Sequence, residues 1–110
     1  MVNKILGAAG IPHAETLFLQ QPEGVFAVWG DKIEASGSDD SLDLLYHEVL
    51  VELYEPAEHD GREERAALIA ALDDAYQRCV IGKWDCDMRI WLDDVRLFMT
   101  SFHFSYTERR

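Results

Sequence analysis

The stretch that decides the fold is Leu44 to Pro56, LLYHEVLVELYEP, in the middle of a chain of 110 residues. Its side chains alternate with a period of two, which is typical of a β-strand. One side carries Leu45, His47, Val49, Val51 and Leu53, and the other carries Tyr46, Glu48, Leu50, Glu52 and Tyr54. At the strand rise, Leu44 to Tyr54 would span roughly 36 Å, so the strand either bends or extends beyond the domain. We predict that one side is buried and that the other is partly covered or is covered by another subunit.

The residues before this strand predict a short helix and one further strand. Val2 to Ala9 places apolar side chains on one stripe of a helix, and Ile11 to Gly24 is predicted to be an extended lead-in. Val25 to Trp29, VFAVW, is a continuous apolar run that favours a strand buried on both faces. Asp31 to Ser41 is rich in acidic residues and serine, which predicts a mobile connection with at most a brief β-ribbon around Ile33.

The residues after it predict a turn, a helix and a hairpin. The turn spans Glu55 to Gly61, and the helix runs from Arg62 to about Arg78. A buried stripe of that helix is predicted to contain Leu68, Leu72, Ala75, Tyr76 and Cys79. Trp84 to Leu92 and Val95 to Thr107 both alternate, and Asp93-Asp94 between them suggests a tight turn, so the two segments are predicted to form an antiparallel hairpin.

Together these elements predict a single α+β domain over residues 1–110. The expected order is helix, strand, strand, helix, strand, strand. The economical architecture is a mixed or antiparallel sheet of about four strands, with an N-terminal helix and one amphipathic helix packed on one face.

The composition limits the classes of function. The chain has 21 acidic and 10 basic residues, a formal charge of −11, which opposes specific nucleic-acid binding because phosphate contacts need clustered Lys and Arg. No run approaches the roughly 20 apolar residues that span a bilayer, and Met1 to Gly10 does not resemble a secretory signal. Cys79 and Cys86 are predicted to be reduced, buried thiols.

No set of residues has the spacing of a catalytic or metal site. His47, Cys79, Cys86 and His103 are the one plausible zinc set, but they lack a C-x-x-C or H-x-x-x-H spacing. A Cys-His nucleophile would need an exposed thiol beside a histidine. Acidic side chains on strand faces and in turns are usually solvated, and no glycine-rich phosphate loop is present. We therefore expect no cofactor, no metal and no catalysis.

Several segments together resemble the small tail completion or minor tail proteins of long-tailed phages, relatives of tail terminators and head-tail joining proteins. They are an opening helix that ends in GIPHA, the strand LYHEVLVELYEP, an acid-rich helix, WDCDMRIWLDD, and the closing LFMTSFHFSYTER. The resemblance covers most of the chain. It implies a structural α+β subunit that forms a ring, often of six copies, at the junction of tail tube and capsid connector.

The resemblance also implies partners and a location. The expected partners are copies of the same chain in a ring, together with tail tube and head connector proteins. DNA would pass through the ring without specific binding, and no membrane is involved. The location would be the virion, at the tail or head-tail junction, after assembly in the host cytoplasm.

Two sets of residues are candidate sites of this assembly. The hypothetical subunit interface comprises Tyr46, Glu48, Tyr54 and Trp91, which combine large or charged side chains with expected positions off the core face. The hypothetical acidic lumen or loop comprises Asp31, Glu34, Asp39 and Asp40.

Three other functions stay open from the sequence: an acidic inhibitor or DNA mimic, a generic α+β binding module, and a small enzyme without a recognisable motif. Acids spaced like phosphates over one exposed face would favour a mimic, whereas a ring subunit should segregate them toward a lumen. A pocket with convergent polar groups would favour the binding module or the enzyme.

Overall fold

A computed structural model describes residues 1–36 and 44–109 and confirms the α+β class. Within these residues the elements are α1 (Val2–Ala8), β1 (His13–Glu15), β2 (Phe26–Ser36), β3 (Leu44–Pro56), α2 (Arg62–Gln77), β4 (Asp85–Cys86), β5 (Ile90–Leu92) and β6 (Leu97–Arg109). The described residues form one six-stranded sheet, so the prediction of about four strands was wrong, as was the predicted order of elements.

The sheet is mixed, and β3 lies at its centre. The strand order is β1-β2-β3-β6-β4, and β5 also pairs with β6. Strands β1 and β2 are parallel, whereas the other pairs are antiparallel. All 13 residues of β3 have a partner on β6, and 11 of them also have one on β2. The long alternating stretch therefore supplies the axis on which the rest of the sheet is built.

One face of the sheet, here called the helix face, carries the hydrophobic core. It is the face of His47, Val49, Val51, Leu53 and Glu55 on β3, all of which are buried. The cross-strand partners of Val49 and Val51 on β6 are Phe104 and Phe102. These side chains form one cluster with apolar residues of both helices, namely Val2, Ile5 and Leu6 of α1 and Leu68, Leu72 and Ala75 of α2. The predicted inward side of β3 is thus confirmed.

Helix α2 is buried along a narrower stripe than its sequence predicts. Tyr76 and both cysteines are exposed, so their predicted burial was wrong. The helix ends at Gln77, and Cys79 has a left-handed φ of 60°, so it lies beyond the helical periodicity. Cys86 lies on the short strand β4 at the edge of the sheet, where one flank has no neighbouring strand among the described residues.

The region before β3 contains more strand than the sequence predicts. The extended lead-in contains β1, and β2 begins at Phe26 and continues past Trp29 to Ser36. The segment from Asp31 to Ser36 was predicted to belong to a mobile connection, with a brief β-ribbon allowed around Ile33. It pairs with β3 at every residue, so the strand at Ile33 is confirmed but is longer than predicted. Pairing with a strongly specified neighbour overrides a composition that is poor in core residues. The remainder of the predicted connection, residues 37–41, lies outside the described residues.

The predicted strand from Trp84 to Leu92 is broken into β4 and β5, and the break changes which way Trp91 faces. Cys86 pairs with Phe102 and Trp91 pairs with Phe98, so one extra residue lies between them relative to β6. This is the geometry of a β-bulge. A shift of one residue moves a side chain to the other face. Trp91 therefore lies on the helix face with Phe98, not opposite Cys86 as the alternation predicts.

Candidate functional site

The second face of the sheet, here called the open face, carries Tyr46, Glu48, Leu50, Glu52 and Tyr54 on β3. No described helix packs against it. Glu48 is exposed and Leu50 retains 37% of its accessible surface. A shallow depression of about 430 Å³ lies at this face between Leu50, Tyr46, Lys32 and Lys83, with His103 and Ser105 of β6 on its floor. The open face is therefore a mixed surface of aromatic, aliphatic and charged groups.

One end of the open face has a small aromatic cluster of its own. Phe26 is buried there because it stacks on Tyr54 at 5.2 Å between ring centroids and meets the edge of Phe18 at 5.7 Å. The Tyr54 hydroxyl donates a hydrogen bond of 3.2 Å to Glu52. Burial first, and the negative charge of Glu52 second, raise the pKa of Tyr54. The lead-in segment thus covers this end of the open face, whereas the middle of the face around Leu50 stays accessible.

The structure brings together three of the four side chains of the hypothetical interface. Tyr46, Glu48 and Tyr54 share the open face along β3. Trp91 lies on the helix face at an edge of the sheet, where it packs against Phe98 with ring centroids 4.8 Å apart. A single flat contact surface therefore cannot include all four.

The hypothetical acidic set is also divided. The side chain of Asp31 retains only 9% of its accessible surface and lies on the helix face. Glu34 is exposed on the open face, where it forms an ion pair of 3.2 Å with Lys32 that raises the pKa of that lysine. Asp39 and Asp40 lie outside the described residues. Asp31 thus belongs to a buried cluster rather than to a solvated acidic loop.

That cluster, here called the His47 cluster, joins β2, β3 and β6. Nδ1 of His47 lies 2.7 Å from Oδ2 of Asp31, and Nε2 lies 2.8 Å from Oε1 of Glu108. The imidazole ring stacks on Tyr106 with centroids 4.2 Å apart and planes inclined by 7°. Since only a protonated imidazole has two N–H donors, both hydrogen bonds exist together only when His47 is charged.

Burial and charge act in opposite directions on this histidine. Burial, the largest effect, disfavours the charged ring and lowers the pKa of His47, but the hydrogen bonds and negative charges of Asp31 and Glu108 outweigh it. The net pKa therefore lies above the ordinary value of 6.5. Burial and the same two carboxylates raise the pKa of Tyr106 to about 12.

A second buried charge lies on the helix face at the opposite end of β3, in what we call the Glu55 cluster. Glu55 is fully buried, with Nε of Arg65 at 3.1 Å from Oε1 and an Arg89 nitrogen at 3.5 Å from Oε2. The Arg65 contact is an ion pair by distance but is not aligned as a hydrogen bond. The Arg89 guanidinium also lies 3.9 Å above the Phe98 ring. These contacts tie the start of α2 and the β4–β5 segment to the sheet.

The candidate zinc set is scattered. His47 is buried on the helix face, whereas His103 lies on the open face within 3.1 Å of Asp87. Cys79 and Cys86 are free and exposed. Among residues 1–36 and 44–109, no group of three His, Cys, Asp or Glu side chains is placed to hold a metal ion.

Exposed acids are spread over several surfaces instead of being collected on one. In the described part of the chain, they occur on α2 (Glu63, Asp73, Asp74), on the open face (Glu34, Glu48, Asp85), in the segments between helices and strands (Glu23, Glu58, Asp60, Asp87, Asp93, Asp94), on β1 (Glu15) and at the end of β6 (Glu108). Within residues 1–36 and 44–109, the exposed acids are therefore not collected on one face, and their distribution favours neither the DNA mimic nor the ring subunit over the other.

Sequence reasoning missed both buried clusters, although each left a signal. His47 falls among apolar residues at an inward position of β3, and a titratable group there requires buried partners. Glu55 continues the same inward series after Leu53 but was predicted to begin a turn. The partners themselves, from Asp31 to Glu108, are too far apart in sequence for spacing to identify.

Two comparisons with known proteins give no match for this chain. No protein-family model matches it, and a search of curated proteins returns no significant match. Neither α1, with 7 residues, nor α2, with 16 residues, could span a bilayer as a helix, and the described residues contain no other α-helix.

Proposed function

We propose that this chain is a structural subunit that binds further copies of itself through the open face of its sheet. The observation that carries the proposal is the contrast between the two faces: both helices cover the helix face, whereas Tyr46, Glu48 and Leu50 on the open face remain accessible. The order of the sequence segments favours one particular assembly, the completion of a phage tail or of the head-tail junction, as a ring of identical subunits in the virion.

A second copy is the occupant that the chemistry of the open face favours. Lys32 and Lys83 lie around the same depression as Glu48 and Asp85, so two copies can place opposite charges against each other around an apolar centre. Complementary charges of this kind set register and partner choice more than affinity. The chain's net charge of −11 opposes association of copies, and salt screens that repulsion.

Because of this repulsion, a single contact between two copies is weak, so assembly of a ring needs a platform. A ring closes when each subunit is held at high local concentration on a pre-existing platform, and a contact that is closed by rotation stops growing where an unclosed one would form filaments. In the proposed role, the tail tube or the head connector supplies that platform.

The test is to delete the gene from the phage or prophage that carries it and to examine the particles by electron microscopy. We expect filled heads and tails that do not join, or tails of uncontrolled length. Normal infectious virions from the deletion would contradict the proposed role in the tail.

Complementation with variants then locates the interface. Tyr46→Asp places a charge on the open face and should block assembly by a folded protein. Tyr76→Asp, the same substitution at an exposed tyrosine of α2, is the matched control and should restore assembly. Thermal melting shows whether both variants are folded; a folded Tyr46→Asp variant that assembles normally would exclude the open face near Tyr46.

A further inference from the structure

We propose that the His47 cluster is a proton-controlled clasp that holds the end of β6 against β2 and β3. Its three parts come from three strands, with Asp31 on β2, His47 on β3 and Glu108 on β6. Each nitrogen of the ring lies within hydrogen-bond distance of a different carboxylate. The clasp is therefore closed only while the imidazole carries its second proton.

The two carboxylates differ in what they lose when that proton leaves. The side chain of Asp31 is almost fully buried, and its second oxygen has no hydrogen-bond partner. Glu108 retains 51% of its side-chain surface and is free to bind water instead. Because an unpaired buried carboxylate is costly, the neutral ring keeps its N–H toward Asp31. Its Nε2 lone pair then faces a Glu108 oxygen at a distance of 2.8 Å, and the two repel.

Among the described residues, the end of β6 pairs with a strand on one side only, which is β3. Thr107, Glu108 and Arg109 are exposed, and their pairing partners on β3 are Tyr46, Leu45 and Leu44. On the outer edge of β6, the earlier residues pair with β4 and β5, and the Ser105 carbonyl accepts a hydrogen bond from the Gly82 N–H. After Ser105, no strand of the described chain pairs with this edge. Loss of the Glu108 contact therefore loosens residues 107–109, and the core at Phe102 and Phe104 is unaffected.

Other ionisable groups at this end do not replace the imidazolium. Tyr106 stacks on the ring, but its pKa of about 12 keeps the phenol neutral in the range where His47 titrates. Arg109 follows Glu108 on β6, and the alternation of the strand places its side chain on the other face. Further charged groups line the groove that α1 and α2 form with the end of β6: the Met1 amine, Lys4, Asp74 and Arg78. Of these, Arg78 is paired with Asp74 at 3.2 Å. The imidazole is therefore the cation that is seen in contact with both carboxylates of the clasp.

The test is a pH titration of the whole chain by NMR from about pH 5 to the completed deprotonation of His47. Side-chain resonances report the protonation of the ring, and carbon-detected heteronuclear relaxation reports the order of residues 107–109. We expect these residues to be ordered while His47 is charged and to become mobile, with the same midpoint, as it loses its proton. The midpoint should lie above the ordinary histidine value.

Two variants separate the clasp from general effects of pH. In Glu108→Gln, the side-chain amide accepts from the charged ring and donates to the neutral one, so the mobility should no longer change with pH. His103→Gln removes another histidine that lies beside a carboxylate, Asp87, and should leave the wild-type transition intact. Equal order of residues 107–109 on both sides of the His47 titration, or an unchanged transition in Glu108→Gln, would overturn the clasp.

Discussion

Each end of β3 carries a buried charged side chain on the helix face, and the two charges have opposite sign. At one end, Glu55 is an anion held between two guanidinium groups. At the other, His47 is a cation held between two carboxylates. Arginine stays protonated at any pH at which proteins fold, whereas histidine titrates near neutrality. Around neutral pH, the cations at the Glu55 end, here called the permanent end, therefore keep their charge, whereas the cation at the His47 end, here called the conditional end, does not. The two ends lie on one strand eight positions apart.

We expect the largest loss of stability from removing the buried carboxylate of Glu55 at the permanent end. Glu55→Ala leaves two cations over a buried site, and removal of one partner of a buried ion pair costs several kcal/mol. Because Arg65 and Arg89 remain partly exposed, we expect a smaller loss, about 2 to 4 kcal/mol in the free energy of unfolding. Urea denaturation measures it. Glu58 is an exposed acid in the next turn, so Glu58→Ala is the control and should change the free energy of unfolding by less than about 0.5 kcal/mol. Equal losses of stability in the two variants would show that the buried ion pairs of Glu55 do not stabilise the fold.

We expect a smaller loss of stability from adding a methyl group at Gly61, beside the Glu55 carboxylate. A Cβ added at Gly61 would lie 2.6 Å from Cγ and 2.7 Å from Cδ of Glu55, which is closer than atoms can pack. We expect Gly61→Ala to cost about 1 to 3 kcal/mol by displacing the carboxylate from its guanidinium partners. The matched control is Gly30→Ala in β2, where the added Cβ meets no atom within 4 Å. Equal melting temperatures of the two variants would mean that the fit around Glu55 is loose.

The conditional end should give the smallest effect, and only with a change of pH. Since the folded-state pKa of His47 lies above 6.5, its stabilisation is complete below pH 6.5 and is lost as the pH rises through the folded-state value. The free energy of unfolding of the wild type should therefore fall over that range more than that of His47→Gln. Glu55→Ala should retain the wild-type slope. Parallel pH profiles for the wild type and His47→Gln would show that the two ends do not differ as proposed.

The Trp84 to Leu92 segment shows where prediction by alternation stops. The sequence indicates strand character there, and the structure indeed pairs both β4 and β5 with β6. A single extra residue at the bulge nevertheless changes the face of Trp91, and with it the membership of the hypothetical interface. Periodicity identifies residues that share a face only while the register is unbroken, and the sequence carries no sign of the register.

The sequence by itself determined the class of the fold, the central strand and its inward side, and the approximate bounds of α2. These are local properties, since a period of two or of 3.6 is visible in neighbouring residues. The tertiary structure decided the number of strands, the exposure of both cysteines, and the partners of His47 and Glu55. Those depend on contacts between residues far apart in the chain: Asp31 and Glu108 meet at His47 because β2 and β6 flank β3 in one register. Long-range register is a property of the assembled sheet, so no stretch of the chain contains it alone.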